Sequence, residues 1–543
     1  MHALVRSAGI SLWLLLGVLW LANLPFRPLF DPDEGRYAEI PREMVASGDW
    51  VTPTLNGLPY FEKPPLQYWA TSALYSVFGV HEWTARLWSA SLAFLCIPLV
   101  FAFSRRIGYS TETALIAAAL LAVNPYFALL GQLNLLDQGF TFFLSAAAFS
   151  FVIAQRDSLP SRRSGTWMLI TWASMALAIL SKGIVTLVLA GATLCAYMVV
   201  TRDASILRRL RPVSGVALLL LITVPWFWMV QGRNPDFLQF FFIHEHVQRY
   251  FTTVHERVEP FWFFIPMVLI GLLPLIGNWK SWKLANIEST SVPGGFRAEL
   301  FLLLWCAVTV VLFSFSQSKL PPYVMPVMPA LAVVLARVTE VDARAFPRAK
   351  WIAVACLLAA AAGIVIAAGW RSGSMSAPAI LWPAVLAAVC AAYLLWERRR
   401  PEQLPSQRWM KLAALSIVGY QLLGLAFAAC FPSKSGERLT SGFVATLPAE
   451  TRIYSVSQYR HSLAFYLRRP LAVYDYIGEL DFGMRHARAQ PAELGRAEFL
   501  EQWRRETRAI AFIDPSVFAE LSAAGMPGRI VARDERSIVI ARS

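Results

Sequence analysis

Long apolar runs separated by short polar stretches dominate the chain up to residue 431. A helix that crosses the hydrocarbon core of a bilayer needs about 20 mostly apolar residues. Runs of roughly that length lie at about 8–24, 87–104, 111–131, 138–155, 166–182, 184–201, 213–231, 260–276, 298–317, 322–338, 351–370, 378–396 and 411–431. The pattern predicts a polytopic α-helical membrane protein whose first domain, residues 1–431, has about thirteen transmembrane helices.

The pattern changes after residue 431. Short β-like runs now alternate with helical patterns such as 497–507, and the runs lie at 452–456, 471–474, 510–513 and 538–540. Alternation of this kind is typical of a small α/β unit. The sequence therefore predicts a second domain at 432–543, in which we find no catalytic signature.

Two loops between the apolar runs, 25–86 and 232–259, are too long to be simple connections. In the first loop, apolar and charged residues fall on opposite sides of a helical wheel, with Tyr37, Ile40, Met44 and Val45 on one side and Arg36, Arg42 and Glu43 on the other. This pattern predicts a short helix on the membrane surface, kinked at Pro41.

Positive charge alternates between loops, and this predicts the orientation because cytoplasmic loops are enriched in Lys and Arg. The basic loops contain Arg6, Arg105, Arg106, Arg156, Arg162, Arg163, Arg202, Arg208, Arg209, Arg211, Lys280, Lys283, Arg297, Arg337, Arg344, Arg348, Lys350, Arg398, Arg399, Arg400, Arg408 and Lys411. With thirteen spans, we expect the N-terminus in the cytoplasm and residues 432–543 outside. The formal net charge of +14 is therefore mainly a topology signal, and its dispersal over many loops disfavours nucleic-acid binding.

Composition supports the membrane class. Hydrophobic residues make up 57% of the chain and charged residues 15%, whereas a soluble domain has about 25% charged residues. All six cysteines fall in apolar runs, which argues against a disulfide framework or a thiolate metal site. Neither a Walker motif nor a GxGxxG fingerprint is found, which disfavours an ATP-driven pump.

The stretch DPDEGRYAEI at 31–40 places Asp31, Asp33 and Glu34 just after the first apolar run. Charged groups enter lipid only at a high cost, so these acids are expected in water or in a site. They could cap the surface helix, where the helix dipole favours negative charge. They could also form an acidic site.

Other charged and polar residues stand at the predicted outer ends of later runs. They are Glu62 and Lys63 in YFEKPPL, Asn134 and Asp137 in LNLLDQGF, Lys182 in SKG, His244, Glu245, His246 and Arg249 in HEHVQR, and Lys319 in SKLPPY. Taken singly, each could be a surface ion pair, a helix cap or a snorkelling side chain. Together they favour an external cavity for a phosphate-bearing substrate, because Lys and Arg form charge-assisted hydrogen bonds with phosphate.

These motifs, in this order, resemble those of lipid-carrier-dependent glycosyltransferases of the membrane GT-C class. Within the class, the chain is similar to the bacterial 4-amino-4-deoxy-L-arabinose transferases of lipid A, which are related to protein O-mannosyltransferases. The resemblance covers essentially the whole chain. It implies an inner-membrane GT-C fold with a periplasmic active site, an undecaprenyl-phosphate-linked donor, a lipid A acceptor, no nucleotide cofactor, and resistance to cationic peptides such as polymyxin.

The resemblance also implies roles for individual residues. The catalytic residues would be Asp33, Glu34 and Asp137, and the substrate-binding residues Tyr37, Tyr60, Lys63, Lys182, Arg249 and Tyr323. Among the latter, Lys63, Arg249 and Tyr323 would hold the phosphate of the carrier. A divalent metal, zinc, would be bound by Glu62 and His244, with His246 as the alternative histidine.

Two other functions stay open at this point. One is a related GT-C transferase that moves another lipid-linked sugar to another acceptor, including a protein. The other is a transporter of a lipid-linked sugar, in which the acids would relay protons. The concentration of charged residues on one predicted face favours the enzyme.

Overall fold

The structure is a computed structural model that describes residues 2–156, 162–252, 259–278, 295–341, 345–372, 376–399, 404–486 and 495–542. Of the basic residues used to predict the orientation, Lys280, Lys283, Arg344 and Arg400 lie outside these ranges.

Helices account for most of the chain before residue 431. They are α1 (His2–Leu21), α2 (Asp33–Ser47), α3 (Leu66–Phe78), α4 (Glu82–Arg106), α5 (Thr111–Val123), α6 (Pro125–Leu130), α7 (Asp137–Arg156), α8 (Arg162–Lys182), α9 (Val185–Thr201), α10 (Pro212–Arg233), α11 (Arg249–Phe251), α12 (Phe264–Leu272), α13 (Ala298–Phe315), α14 (Val327–Val341), α15 (Ala345–Ser372), α16 (Ala377–Arg398) and α17 (Pro405–Cys430). A π-helical segment, Gln239–Gln248, precedes α11, and a 3-10 turn, Pro321–Val324, precedes α14.

The remaining elements are short. Strands β1 (Thr54–Leu55) and β2 (Leu58–Pro59) form a hairpin. Past residue 431 the chain forms α18 (Glu437–Thr440), β3 (Arg452–Val456), α19 (His461–Leu467), β4 (Ala472–Tyr474), the 3-10 turn Gly478–Leu480, α20 (Asp481–His486), α21 (Arg496–Arg505), β5 (Ala509–Ile513), α22 (Pro515–Ala523), β6 (Arg529–Arg533) and β7 (Ile538–Arg542).

Packing divides the chain into two compact units. We call Met1–Leu24, Glu62–Gln67 and Leu87–Cys430 the helical unit, and Pro25–Phe61, Tyr68–Arg86 and Phe431–Ser543 the α/β unit. The sequence prediction instead assigned the whole of loop 25–86 to the first domain.

Every predicted span of the helical unit contains an apolar helix. Within the part of the chain that the structure describes, nine helices are long and apolar enough to cross a membrane, and shorter apolar helices occur at Thr111–Val123, Val185–Thr201, Phe264–Leu275 and Val327–Thr339. Asn124 divides the predicted run 111–131, because its side chain caps α6 by accepting from the Phe127 amide at 2.8 Å. The total of thirteen membrane crossings stays a prediction.

Polar side chains in the helical unit bond to backbone carbonyls of neighbouring helices. The Trp20 indole donates to the Ala90 carbonyl at 2.9 Å, and the Tyr420 hydroxyl donates to the Val123 carbonyl at 2.8 Å. Such bonds matter in an apolar environment, where an unsatisfied polar group is costly.

The α/β unit is organised around a five-stranded sheet with the order β4-β3-β5-β7-β6. Strand β3 is parallel to both β4 and β5, and β7 is antiparallel to β5 and β6. The four strands predicted from the sequence are confirmed. Strand β6 was not predicted, because RIVAR has a run of only three apolar residues, between two arginines, and no alternation.

Loop 25–86 supplies a second layer of the α/β unit. Helix α2 packs against α19, and Gly35 lies so close to it that an added Cβ would be 2.4 Å from the Ser462 amide nitrogen. The hairpin is held by Asn56, whose side chain donates to the Leu471 carbonyl at 2.9 Å and accepts from the Leu471 amide at 2.7 Å.

The predicted short helix is confirmed as α2, which continues through Pro41, while its position on the membrane surface stays a prediction. Two residues of its charged side, Arg36 and Glu43, are buried. Glu43 accepts from the Thr54 hydroxyl at 2.6 Å and from the Gly57 amide at 3.1 Å. The charged side of the helix therefore faces protein groups that satisfy it.

Gly35→Ala should destabilise the α/β unit, because the new methyl group meets backbone atoms that cannot rotate away. Overpacking of this kind costs about 1–3 kcal/mol. The matched control is Gly442→Ala, since Gly442 has nothing within 4 Å of an added Cβ. Thermal unfolding in detergent should show a clear loss for Gly35→Ala and almost none for the control. Equal behaviour of the two variants would contradict the close packing of α2 on α19.

Candidate active site

A polar cavity of about 90 Å³ lies in the helical unit, where several separate segments meet. Its polar lining comes from the loop before α3, the end of α8, the π-helical segment, the start of α11, the loop after α13 and the 3-10 turn before α14. These lining residues are Lys63, Lys182, Glu245, His246, Arg249, Ser316, Ser318 and Tyr323.

Glu245 connects the cations of this cavity. Its Oε2 atom lies 2.8 Å from Arg249 Nη1 and 3.7 Å from Lys63 Nζ, and its side chain is 1% exposed. Glu62 Oε2 lies 3.7 Å from the same guanidinium nitrogen. Arg249 also donates to the Tyr323 hydroxyl at 3.3 Å. The structure thus brings together the three residues that the resemblance assigned to a phosphate.

Lys63 and Arg249 differ in how well their surroundings stabilise the charged form of the side chain. Burial, together with the positive charge of Arg249, lowers the pKa of Lys63, although Glu245 and Glu62 oppose the shift. Burial also disfavours the charged form of Arg249, but Tyr323, Glu245 and Glu62 outweigh it and raise its pKa well above the ordinary value. An incoming anion would therefore stabilise the charge of Lys63, the less favourably placed of the two.

A second ion pair adjoins the cavity. Lys182 forms a salt bridge with Asp137, and its Nζ atom lies 4.1 Å from the centre of the Tyr323 ring. Asn134 Oδ1 accepts from Gln67 at 2.8 Å and from Ser89 at 3.2 Å. Because Gln67 closes the short segment that begins at Glu62, this contact helps to fix the segment that carries Lys63.

Ser316 and Ser318 line the cavity but were not named from the sequence, and Glu245 was named there without a role of its own. Its i,i+4 spacing to Arg249, which places both on one helical face, is the signal that points to such a role. Ser318 carried no such signal. Its hydroxyl is buried and has no hydrogen-bond partner among the described residues. By contrast, Lys319 donates to the Glu259 carbonyl at 2.9 Å and does not line the cavity.

The predicted metal ligands, Glu62 and His244, each lie near another charged residue. No group of three or more His, Cys, Asp or Glu that could hold a metal occurs among the residues that the structure describes. His244 stacks on Phe240 with 5.0 Å between ring centroids, and its Nδ1 lies 3.2 Å from Glu245 Oε1. The alternative, His246, lines the cavity, and its Nδ1 is 2.7 Å from the Phe241 carbonyl. The zinc site stays a prediction.

Position 183 in SKG requires glycine, both for its backbone conformation and for the space that His246 occupies. Gly183 has φ +93°, a left-handed conformation, and an added Cβ there would lie 2.2 Å from His246 Nε2. A side chain at this position would be strained and would also crowd the histidine. Glycine therefore lets the chain turn between α8 and α9 beside the cavity.

The remaining predicted site residues lie in the α/β unit. Asp33, at the start of α2, accepts from Arg36 at 2.7 Å, and its side chain is 40% exposed. Arg36 also donates to the Tyr60 hydroxyl at 3.0 Å, and its guanidinium lies 5.3 Å from the centre of the Tyr37 ring. Arg36 therefore orients the Asp33 carboxylate, which remains partly accessible to solvent.

Glu34 has a different environment from Asp33. It is buried, and its two oxygens accept from the Arg86 side chain at 2.7 and 3.0 Å. It also accepts from the Phe30 amide at 3.0 Å. Arg86 in turn donates to the Arg27 and Pro28 carbonyls, both at 2.7 Å. Through these contacts Glu34 stabilises the conformation of the loop that carries Asp33.

The chain matches known families in two regions. Residues 9–241 match the family described as dolichyl-phosphate-mannose-protein mannosyltransferase, and residues 440–542 match the aminoarabinose transferase C-terminal domain.

Similarity to individual proteins extends over nearly the whole chain. An undecaprenyl phosphate-alpha-4-amino-4-deoxy-L-arabinose arabinosyl transferase from Edwardsiella ictaluri is 30% identical over 91% of both chains. The enzyme of the same name from Aeromonas hydrophila is 30% identical over 90% of both. The crystal structure of ArnT from Cupriavidus metallidurans bound to undecaprenyl phosphate is 33% identical, covers 98% of both chains and has a TM-score of 0.85.

The chain belongs to the aminoarabinose transferase family. It is a glycosyltransferase and an integral membrane protein, and the predicted fold class is confirmed by the match to ArnT. The order of the motifs from DPDEGRYAEI to SKLPPY was thus sufficient to identify the family from the sequence.

Within this family member, the predicted site residues divide between the two units. Asp33, Glu34, Tyr37 and Tyr60 belong to the α/β unit, and Glu62, Lys63, Asp137, Lys182, His244, Arg249 and Tyr323 belong to the helical unit. Their catalytic and binding roles stay predictions that follow from the family.

Proposed function

We propose that the protein transfers 4-amino-4-deoxy-L-arabinose from undecaprenyl phosphate to phosphate groups of lipid A, on the periplasmic face of the inner membrane. The observation that carries the proposal is the meeting of Lys63, Arg249 and Tyr323 at one cavity, in a chain similar over 98% of its length to a protein crystallised with undecaprenyl phosphate. Two cations and a hydroxyl at one cavity suit a phosphate group.

In the proposed reaction, a phosphate oxygen of lipid A forms a bond to the anomeric carbon of the sugar. The bond between that carbon and the carrier phosphate breaks, and its electron pair leaves with undecaprenyl phosphate. Lys63 and Arg249 would stabilise the charge that develops on this leaving group. No nucleotide takes part, and no step depends on the zinc predicted at Glu62 and His244.

The acceptor phosphate is already ionised at neutral pH, so it hardly needs a general base. We therefore assign Asp33 an electrostatic role. Its exposed carboxylate would steady the positive charge at the anomeric carbon or orient the amino group of the sugar. The amine added to lipid A would lower the negative charge of the outer membrane, which would reduce the binding of cationic peptides such as polymyxin.

One alternative has a specific observation in its favour. The match of residues 9–241 to a protein mannosyltransferase family makes another sugar or a protein acceptor the second candidate. Mass spectrometry of lipid A from cells with and without this gene separates the two. Loss of the aminoarabinose adduct together with the gene supports the proposed function, and unchanged lipid A contradicts it.

Asp33→Asn should abolish most of the transfer to lipid A while the protein still folds and binds carrier. Removal of one preorganised charged group lowers the rate by roughly a hundredfold to a thousandfold. The control is Asp49→Asn, since Asp49 accepts from the Val51 amide in a local turn. Lipid A modification and polymyxin survival would be measured in a strain lacking its own enzyme, at matched expression. Full complementation by Asp33→Asn would rule out this role.

Lys63→Ala and Arg249→Ala should each weaken binding of undecaprenyl phosphate. A hydrogen bond to a charged group contributes about 1.5–3 kcal/mol, which corresponds to a loss of affinity of roughly tenfold to a hundredfold. Lys411→Ala is the control, because Lys411 lies over the Trp396 ring and does not line the cavity. Binding of undecaprenyl phosphate to the purified variants in detergent gives the measurement. Unchanged affinity of the double variant would place the phosphate elsewhere.

The proposed orientation can be tested with cysteines introduced at exposed positions in a cysteine-free background. Ser47→Cys and Arg505→Cys should react with a membrane-impermeant thiol reagent in intact spheroplasts. Arg163→Cys and Arg399→Cys should react after the membrane is permeabilised. The reverse pattern would place Asp33 in the cytoplasm and contradict the proposed periplasmic reaction.

A further inference from the structure

Two buried arginines join the acidic loop at 31–34 to the C-terminal part of the α/β unit. The first, Arg460, donates to Asp31 at 3.0 Å, to Asp534 at 2.8 Å and to the Ser433 carbonyl at 2.9 Å. The other oxygen of Asp31 accepts from the Ser462 amide at 2.8 Å. Asp31 is therefore an anchor, and its side chain is 2% exposed.

The second arginine, Arg36, is shared between two carboxylates. It donates to Asp33 at 2.7 Å through Nη2 and forms a 2.9 Å ion pair with Glu479 through Nη1. Glu479 lies in the 3-10 turn before α20, and its Oε2 is also 3.0 Å from His461 Nε2. Burial disfavours the charged form of Arg36, but Glu479, Tyr60 and Asp33 raise its pKa well above the ordinary value.

Because Arg36 pairs with both Asp33 and Glu479, it neutralises the negative charge of Asp33 only in part. A buried guanidinium paired with Asp33 alone would largely cancel the field of that carboxylate at the substrate. A second carboxylate on the same guanidinium leaves the group of three with net negative charge. The Coulomb interaction between two charges falls off with distance and is strongest where water is excluded. The exposed oxygen of Asp33 therefore still attracts a cationic centre.

We propose that Glu479 is a positioning residue for the transferase reaction, which acts on Asp33 through Arg36. It fixes the guanidinium that orients the Asp33 carboxylate, and it offsets the positive charge that would otherwise neutralise this carboxylate. The C-terminal domain thereby contributes to turnover without touching the substrate. This inference rests on the proposed role of Asp33.

A double-mutant cycle between Glu479→Gln and Asp33→Asn tests the proposal. Glu479→Gln keeps the shape of the side chain and removes its charge, so kcat should fall about tenfold or more while KM for the carrier-linked sugar changes little. In the Asp33→Asn background, Glu479→Gln should lower kcat by less than about twofold, because the group through which it acts is already neutral. The matched control is Asp481→Asn, which removes the charge of a carboxylate that pairs with Arg485, four residues along the same helix, at 2.7 Å.

A purely structural role would give a different result. Additive losses of kcat in the cycle, or an equal loss for the Asp481→Asn control, would overturn the proposal. Glu479→Asp keeps the charge on a shorter side chain, so it should retain more turnover than Glu479→Gln at comparable thermal stability. Equal turnover of these two variants would also contradict the charge argument.

The donors should be a panel of sugars linked to undecaprenyl phosphate, with lipid A and an acceptor peptide offered in parallel. Transfer by the unaltered protein of a sugar other than aminoarabinose, or transfer to the peptide, would overturn the proposed function. The cycle would then be measured with the donor and acceptor that react. A failure of the Glu479 proposal and a failure of the proposed function are therefore separate outcomes.

Discussion

The pairing of buried charges is the constraint on which both units depend. Moving an ion out of water costs several kcal/mol unless a partner of opposite charge and additional hydrogen bonds compensate for it. Glu245 meets this requirement in the helical unit by serving Arg249 and Lys63, and Glu34 meets it in the α/β unit by binding Arg86. In each case the compensation also fixes the geometry of a neighbouring functional group. Stability and preorganisation therefore depend on the same contacts.

Much of the fold could be predicted because its signals are local. A run of apolar residues specifies a membrane helix almost regardless of its neighbours. In the same way, each β-like run of the C-terminal region forms a strand. The burial of charged residues on α2 could not be predicted, because it depends on residues far away in the chain. Arg36 and Glu43 are polar on a helical wheel, but the wheel does not show that Glu479, Thr54 and Gly57 satisfy them.

The candidate site shows the same limit. Lys63, Arg249 and Tyr323 could be named because they lie in motifs that resemble a known family, and the structure places them at one cavity. Ser318 lies in no comparable sequence motif, so its place in the lining of the cavity is seen only in the structure. Glu479 is further still from prediction, because nothing in the sequence around it points to Arg36. Tertiary pairing of residues far apart in the chain has no local signature.

The composition of the α/β unit from early and late segments has a consequence for biogenesis. Pro25–Phe61 and Tyr68–Arg86 leave the ribosome near the start of synthesis, whereas their partners in Phe431–Ser543 are made last. At roughly 5–20 residues per second, synthesis of the intervening Leu87–Cys430 takes on the order of tens of seconds. Throughout this time Asp31 lacks Arg460 and Arg36 lacks Glu479, so the loop at 31–34 lacks two of the ion pairs that hold it. The conformation of this loop is therefore fixed only after the C-terminal segment has been made.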